Sequence, residues 1–253
     1  MNHEIQTATY ITKTEFLEPQ LLLFEREHHY APPQSEIDVF GNFWVLGFSS
    51  LNEGALSFSR FGTHPLSGKI GVLIPPYSIV EWVLQSTRLN WTALIWPADK
   101  LKLSLTEPIA FRWQSHNSLP NCFAHIEEQV SNLANTIPIG KLNQKSALAN
   151  EAKQLLDQEL GEELTIGDLA QRLSVEAHGL TRVFKKTFGI TPIIYRNKQR
   201  VIDSMFHLLF NHEQNISDIG FNVGFADLSR FNKEFKKYTL AKPSQYQTKR
   251  LPT

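Results

Sequence analysis

Ile219-Gly220-Phe221-Asn222-Val223, then Phe231-Asn232-Lys233-Glu234-Phe235-Lys236-Lys237, then Pro243 and Tyr246: this stretch decides the fold, because the chain contains it twice. The earlier copy reads Leu169-Ala170 through Leu173, then Leu180-Thr181-Arg182-Val183-Phe184-Lys185-Lys186, then Pro192 and Tyr195. Leu180/Phe231, Phe184/Phe235, Lys185/Lys236, Lys186/Lys237, Pro192/Pro243 and Tyr195/Tyr246 all stand 51 residues apart, whereas Leu169/Ile219 and Leu173/Val223 stand 50 apart. The extra residue falls between the two helices of the second copy, where a turn absorbs it. A short helix, a turn and a second helix with a basic outer face is the layout of a helix-turn-helix reader. Two in tandem imply a protein that holds DNA at two places.

Each copy separates into a core face and an outer face. Thr165 is an expected N-cap for a helix over Ile166–Leu173, with Asp168 completing a capping box. The next helix, Ala177–Thr187, turns Leu180, Val183 and Phe184 inward at i, i+3, i+4 spacing and leaves His178, Thr181, Arg182, Lys185 and Lys186 outside. A major groove about 12 Å wide admits one helix, whose N-terminal turns reach the base edges. His178, Thr181 and Arg182 are therefore the expected base contacts, and Lys185 and Lys186, further along, the phosphate contacts. In the second copy Asp227 caps the helix, Ser229, Arg230 and Lys233 face the bases, and Lys236 and Lys237 face phosphates. An ordinary solvated helix face would look the same in one copy; its recurrence in one frame favours a reader. Between the copies Tyr195–Phe210 lacks Gly and Pro, which predicts a rod of roughly 24 Å at 1.5 Å per residue. Arg196, Lys198 and Arg200 at its start are further candidates for phosphate contact, or simply for solubility.

Residues 146–247 resemble the DNA-binding domain of the AraC/XylS family of bacterial transcription regulators. Val223-Gly224-Phe225, Phe231, Phe235-Lys236-Lys237-Tyr238 and Pro243 carry the likeness. It implies two second helices in adjacent major grooves, joined by a central helix. The chain departs from the family pattern at Gly220, where a small alanine is usual, and at Leu240, where glycine is common. Gln247 stands where arginine often does, and Glu176 replaces a serine cap.

The whole chain is consistent with that reading. It has 253 residues, 42% apolar and 20% charged, enough for two globular domains. No apolar run approaches the roughly 18 residues of a membrane span, and Met1-Asn2-His3-Glu4 lacks the layout of a secretory signal, so a cytoplasmic protein is expected. One cysteine, Cys122, excludes an intramolecular disulfide and a multi-cysteine zinc site. Net charge is zero, yet residues 176–253 carry 13 Lys/Arg against 6 Asp/Glu, while residues 1–145 carry 10 against 13. The basic excess sits with the repeat, as a polyanion partner requires.

From about Ile37 to Ala110 short apolar runs (Phe43–Phe48, Ala55–Phe61, Ile70–Ile74, Ile79–Leu84, Trp91–Trp96) alternate with turn residues, which predicts strands of a sandwich or barrel. The family resemblance implies a cupin-like β-barrel here, which senses a small molecule, mediates dimerisation, or both. The expected architecture is thus an α+β multidomain chain: a cupin-like barrel over 1–120, a helix and linker over 121–145, and an all-α double helix-turn-helix domain over 146–253. Trp44, Arg60, Trp82, Arg88 and Trp96 are candidate effector contacts; core tryptophans and solvated arginines are the plainer reading. His28-His29, His64, His116 and His125 do not reproduce the metal-binding cupin pattern, so no metal, cofactor or catalytic residue is expected. Phe123, Ile126, Val130 and Leu133 form a stripe on a helix over Asn121–Asn135, either a dimer seam or packing against its own barrel.

The expected function is a sequence-specific DNA-binding transcription regulator controlled by a small-molecule effector, acting as a homodimer on double-stranded DNA, with RNA polymerase as a further partner. Two alternatives stand beside it: a ligand-independent regulator controlled by a partner protein or by abundance, and a cupin-type metalloenzyme fused to a DNA-binding domain.

Overall fold

Tyr10, Thr12 and Thr14 are buried while Ile11 and Lys13 between them are exposed, the two-residue alternation of a half-buried strand. That pattern starts the sheet well before Ile37. The computed structural model describes residues 3–30, 34–59, 63–84, 86–113, 118–139, 146–162, 164–210 and 214–247, in two compact units, Met1–Lys141 and Leu142–Thr253.

The first unit holds β1 (His3–Gln6), β2 (Tyr10–Glu18), β3 (Leu21–His29), β4 (Gln34–Val39), β5 (Phe43–Ser59), β6 (Thr63–Ile74), β7 (Ile79–Leu84), β8 (Arg88–Pro97), β9 (Ile109–Arg112), helix α1 (Phe123–Ser131) and the short β10 (Ile137–Pro138). All pairings are antiparallel, in the order β1-β2-β3-β8-β5-β6-β9-β10, with β7 on β5 and β4 on β7. The runs at Phe43 and Ala55 belong to one strand, β5, whose pairing with β6 shifts register between Leu51 and Leu56. β1 to β3 lie outside the region where strands were expected, because polar Thr12 and Thr14 occupy the buried positions of β2.

One face of the sheet is apolar. Leu21, Trp44, Leu46, Phe48, Leu73, Leu94, Trp96, Ile109 and Phe111 form a core into which α1 inserts Ile126, with Phe123, Val130 and Leu133 half-buried beside it. The N-terminus of α1 has no side-chain cap of its own at Cys122. Instead Glu18, from the end of β2, accepts the Phe123 amide at 3.0 Å, satisfying one of the donors that a helix start leaves open.

The second unit contains α2 (Ala147–Gln158), α3 (Ile166–Arg172), α4 (Ala177–Phe188), α5 (Pro192–Phe210), α6 (Ile216–Asn222), α7 (Leu228–Thr239) and α8 (Pro243–Tyr246). Ser146 accepts the Ala149 amide to start α2, and Pro192 opens α5, where its missing N–H costs nothing. Leu180, Phe184, Phe188, Tyr195, Phe231, Phe235 and Tyr246 are buried; each such side chain contributes about 1.5–3 kcal/mol. Val183, expected in the core, is half-buried. Among the described residues no helix is long and apolar enough to cross a membrane.

Candidate nucleic-acid interface

The two readers repeat each other in backbone as well as sequence. In the first, the Asp168 amide donates to the Thr165 hydroxyl at 3.1 Å and the Thr165 amide to the Asp168 carboxylate at 2.9 Å, closing the expected capping box. The Thr165 hydroxyl and amide together hold the Asp168 carboxyl below its ordinary range. Ser174 turns the chain at φ 55°, and Gly224 does so in the second reader at φ 93°. α4 and α7 are each 12 residues long. Asp227 caps α7 by accepting the Arg230 amide at 2.7 Å, whereas Glu176 makes no such bond at the start of α4.

The expected contact residues lie on the outer faces of these helices. His178, Arg182, Lys185 and Lys186 on α4 are exposed, and so are Ser229, Arg230, Lys233, Lys236 and Lys237 on α7. Thr181 is half-buried, its hydroxyl donating to the Ala177 carbonyl at 2.9 Å, so towards a base it offers its methyl group and oxygen lone pairs. Lys237 approaches Glu234 at 3.5 Å and donates to the Tyr238 hydroxyl at 3.3 Å; the Tyr238 bond, then Glu234, push its pKa up.

Asn232 is absent from the base contacts expected above, yet it is exposed on α7 and stands 51 residues after Thr181. The same offset would have found it and also pairs Arg182 with Lys233. An asparagine there can bond adenine N6 and N7 together. Asn232 and Lys236 line a groove of about 480 Å³ with Ile216, Leu228, Lys242, Pro243 and Ser244.

Arg196 and Arg200 turn inward in this fold, away from the surface that phosphates would meet. The Arg196 guanidinium donates to the Leu164 carbonyl, and Lys198 is half-buried with its ammonium 5.7 Å from the Tyr238 ring. Arg200 is buried; its Nε donates to the Leu160 carbonyl at 2.8 Å and one terminal nitrogen to the Glu162 carbonyl at 2.7 Å. The Arg200 guanidinium also lies 5.9 Å from the Phe225 ring of the second turn. Arg200 thus ties the segment leading into the first reader to the turn of the second. α5 begins three residues before the expected start at Tyr195 and has 19 residues, roughly 28 Å at 1.5 Å per residue.

The candidate residues of the first unit do not come together. Trp44 and Trp96 stack nearly parallel at 6.3 Å in the core beneath α1, while Trp82 is buried against Trp91 at 6.0 Å. Arg88 is exposed and pairs with Glu27 at 2.7 Å, and Arg60 lies outside the described residues. The stripe Phe123, Ile126, Val130 and Leu133 packs on its own sheet, which accounts for its apolar spacing. His28 stacks on Tyr30 whereas His29 is exposed and bonds Glu27, so the neighbouring pair does not converge. Among the described residues no three His, Cys, Asp or Glu side chains gather as a metal site.

Two basic helix faces repeated on one rigid frame define the second unit as a DNA-binding domain. Residues 169–249 match the family described as a helix-turn-helix domain, and the domain is of the AraC/XylS type. The transcriptional regulatory protein HptR of Staphylococcus aureus is 31% identical over 109 residues, covering 43% of this chain and 42% of that protein. The match thus spans less than half the length of that relative. The Msm operon regulatory protein of Streptococcus mutans is 28% identical over 221 residues, 84% of this chain and 69% of that one. Fatty-acid-bound ToxT of Vibrio cholerae superimposes with a TM-score of 0.52 at 14% identity, over 91% of this chain and 95% of its own. That likeness concerns the fold, a mostly-sheet domain followed by a helical one.

Proposed function

We propose that the chain is a sequence-specific transcription regulator that reads two successive major grooves with α4 and α7. The observation that carries this reading is the matched pair of exposed faces, His178/Thr181/Arg182 and Ser229/Arg230/Asn232/Lys233, each followed by two lysines and clamped through Arg200. Arg182 and Arg230 suit guanine, Asn232 suits adenine, and the lysines supply phosphate contacts. ToxT, which shares the order of domains, binds an unsaturated fatty acid. We further infer that the sheet domain of this chain holds a small-molecule effector, which shifts the population of DNA-competent chains. A homodimer acting in the cytoplasm, with RNA polymerase as its downstream partner, completes the reading; no residue is assigned a catalytic role.

Selection of binding sites from random DNA by the full chain, followed by titration at several salt concentrations, tests it. A bipartite site with two short blocks about one helical turn apart is the expected result. Salt-sensitive binding with no enriched sequence means contact with phosphates alone and sinks the specific-reader proposal.

A further inference from the structure

Among the exposed residues of α7, Leu228 alone is apolar; the others are Ser229, Arg230, Asn232, Lys233, Lys236 and Lys237. Phe231 and Phe235 of the same helix are completely buried, whereas Leu228 is 39% exposed. It is the first residue of the helix, next to the cap at Asp227. Leu228, Asn232 and Lys236 follow one another at i, i+4, i+8, so they form one row along the helix. All three line the groove of about 480 Å³ described above. A helical side chain leans towards the N-terminus of its own helix, which makes Leu228 the foremost group of the row.

The groove is chemically mixed. Lys236 and Lys242 bring positive charge to it, and Leu228, Ile216 and Pro243 bring apolar surface. A fitting occupant therefore carries negative charge and an apolar group side by side. A DNA strand has both: its phosphates, and on the base edges of the major groove the C5-methyl group of thymine. Against the amino group of cytosine, or O6 and N7 of guanine, a leucine would strip water without replacing its hydrogen bonds.

We propose that Leu228 reads a thymine, with its isobutyl group packed on the C5-methyl, while Asn232 bonds an adenine close by. Residues four apart on a helix have Cβ atoms roughly 5–6 Å apart, and base pairs rise about 3.4 Å each. The thymine and the adenine therefore fall within about two base-pair steps of each other. The first reader is built differently. The residue 51 positions before Leu228 is Ala177, exposed but carrying only one methyl group, too short to make the same contact. The inference rests on the reading of α7 as a base-reading helix.

The test takes the full chain and the site it selects from random DNA. Each thymine of both blocks is replaced in turn by deoxyuridine, which removes the methyl group and nothing else. Binding of parent, Leu228→Ala and Leu228→Met is then titrated. The expected result is a thymine, within two steps of an adenine, at which deoxyuridine weakens the parent about fourfold, as loss of one buried methyl group should. Leu228→Ala should bind thymine and deoxyuridine alike at that position, and Leu228→Met should still prefer thymine. Sensitivity at thymines of the other block should be the same in all three proteins. Each comparison is made within one protein, so a change in overall affinity or stability cancels. A selected site with no position at which sensitivity depends on Leu228 overturns the inference and leaves the two readers standing; a partner protein seated in the groove predicts that outcome. Failure to select any site overturns both.

Discussion

Gly189 and Leu240 stand 51 residues apart and take the same left-handed conformation, φ 79° and φ 57°, at the C-terminal ends of α4 and α7. Both amides donate back to a lysine carbonyl four residues earlier, Lys185 in the first reader and Lys236 in the second. Glycine adopts this conformation freely, whereas an L side chain there costs roughly 1–2 kcal/mol. The Leu240 side chain is half-exposed and recovers little of that cost by packing. Leu240→Gly should therefore stabilise the protein by about 0.5–1 kcal/mol once the greater freedom of glycine in the unfolded chain is deducted. Gly189→Leu should destabilise it. Urea denaturation followed by helical circular dichroism measures both; a less stable Leu240→Gly would show that the leucine packs on something.

Arg200 holds the two readers in one geometry, and its removal should be felt in DNA spacing as well as in stability. Arg200→Met leaves the Leu160 and Glu162 carbonyls without their charged donor, a loss of about 2–3 kcal/mol. Gly224→Ala attacks the same contact from the other side: its φ is 93°, and an added Cβ would lie 2.5 Å from the Arg200 guanidinium. If the clamp sets the separation of the readers, both variants should bind sites with one base pair inserted between the blocks nearly as well as the parental site. The parent should discriminate against such sites. Lower stability with unchanged spacing preference would reduce Arg200 to a packing residue.

The repeat made the DNA-binding half legible because its information is local: caps, turn residues and helical spacing recur in one frame. What the sequence conceals there is where long basic side chains turn. Arg196 and Arg200 read as solvent-facing cations, but their guanidinium groups reach carbonyls 32 and 40 residues away. Gly220, which looks like a helix-propensity loss, faces the Phe231 ring where a Cβ would come within 2.9 Å. The sheet half was less legible because register decides which face a residue joins. Trp44, Trp82 and Trp96 cannot be sorted between two faces until the pairings are known.

Base contacts and phosphate contacts should separate in binding data. Arg182→Ala should relax the block read by α4, and Arg230→Ala and Asn232→Ala the block read by α7, at roughly 1–3 kcal/mol each. Lys185→Ala and Lys236→Ala should weaken all sequences alike and reduce the salt slope by about one charge apiece. Selection experiments with each variant decide this. Asn232→Ala with an unaltered preferred site would remove it from the interface.

The two domains should respond to pH in opposite directions. His207 lies 3.5 Å from Asp203, whose hydrogen bond raises the imidazole pKa above its ordinary 6.5. That stabilisation of the helical domain is fully present below pH 6.5 and is lost as pH rises through the folded value. His28 has its pKa lowered from 6.5 to about 4, so its share of the sheet domain's stability is present above pH 6.5 and is lost as pH falls towards 4. All five tryptophans lie in the first 113 residues, so their fluorescence reports unfolding of the sheet domain, while circular dichroism at 222 nm is dominated by the helices. Urea midpoints between pH 5 and 8.5 should fall towards acid for fluorescence and towards alkali for the helical signal. His28→Phe should flatten the first trend and His207→Gln the second; trends that survive those substitutions would have to come from other groups.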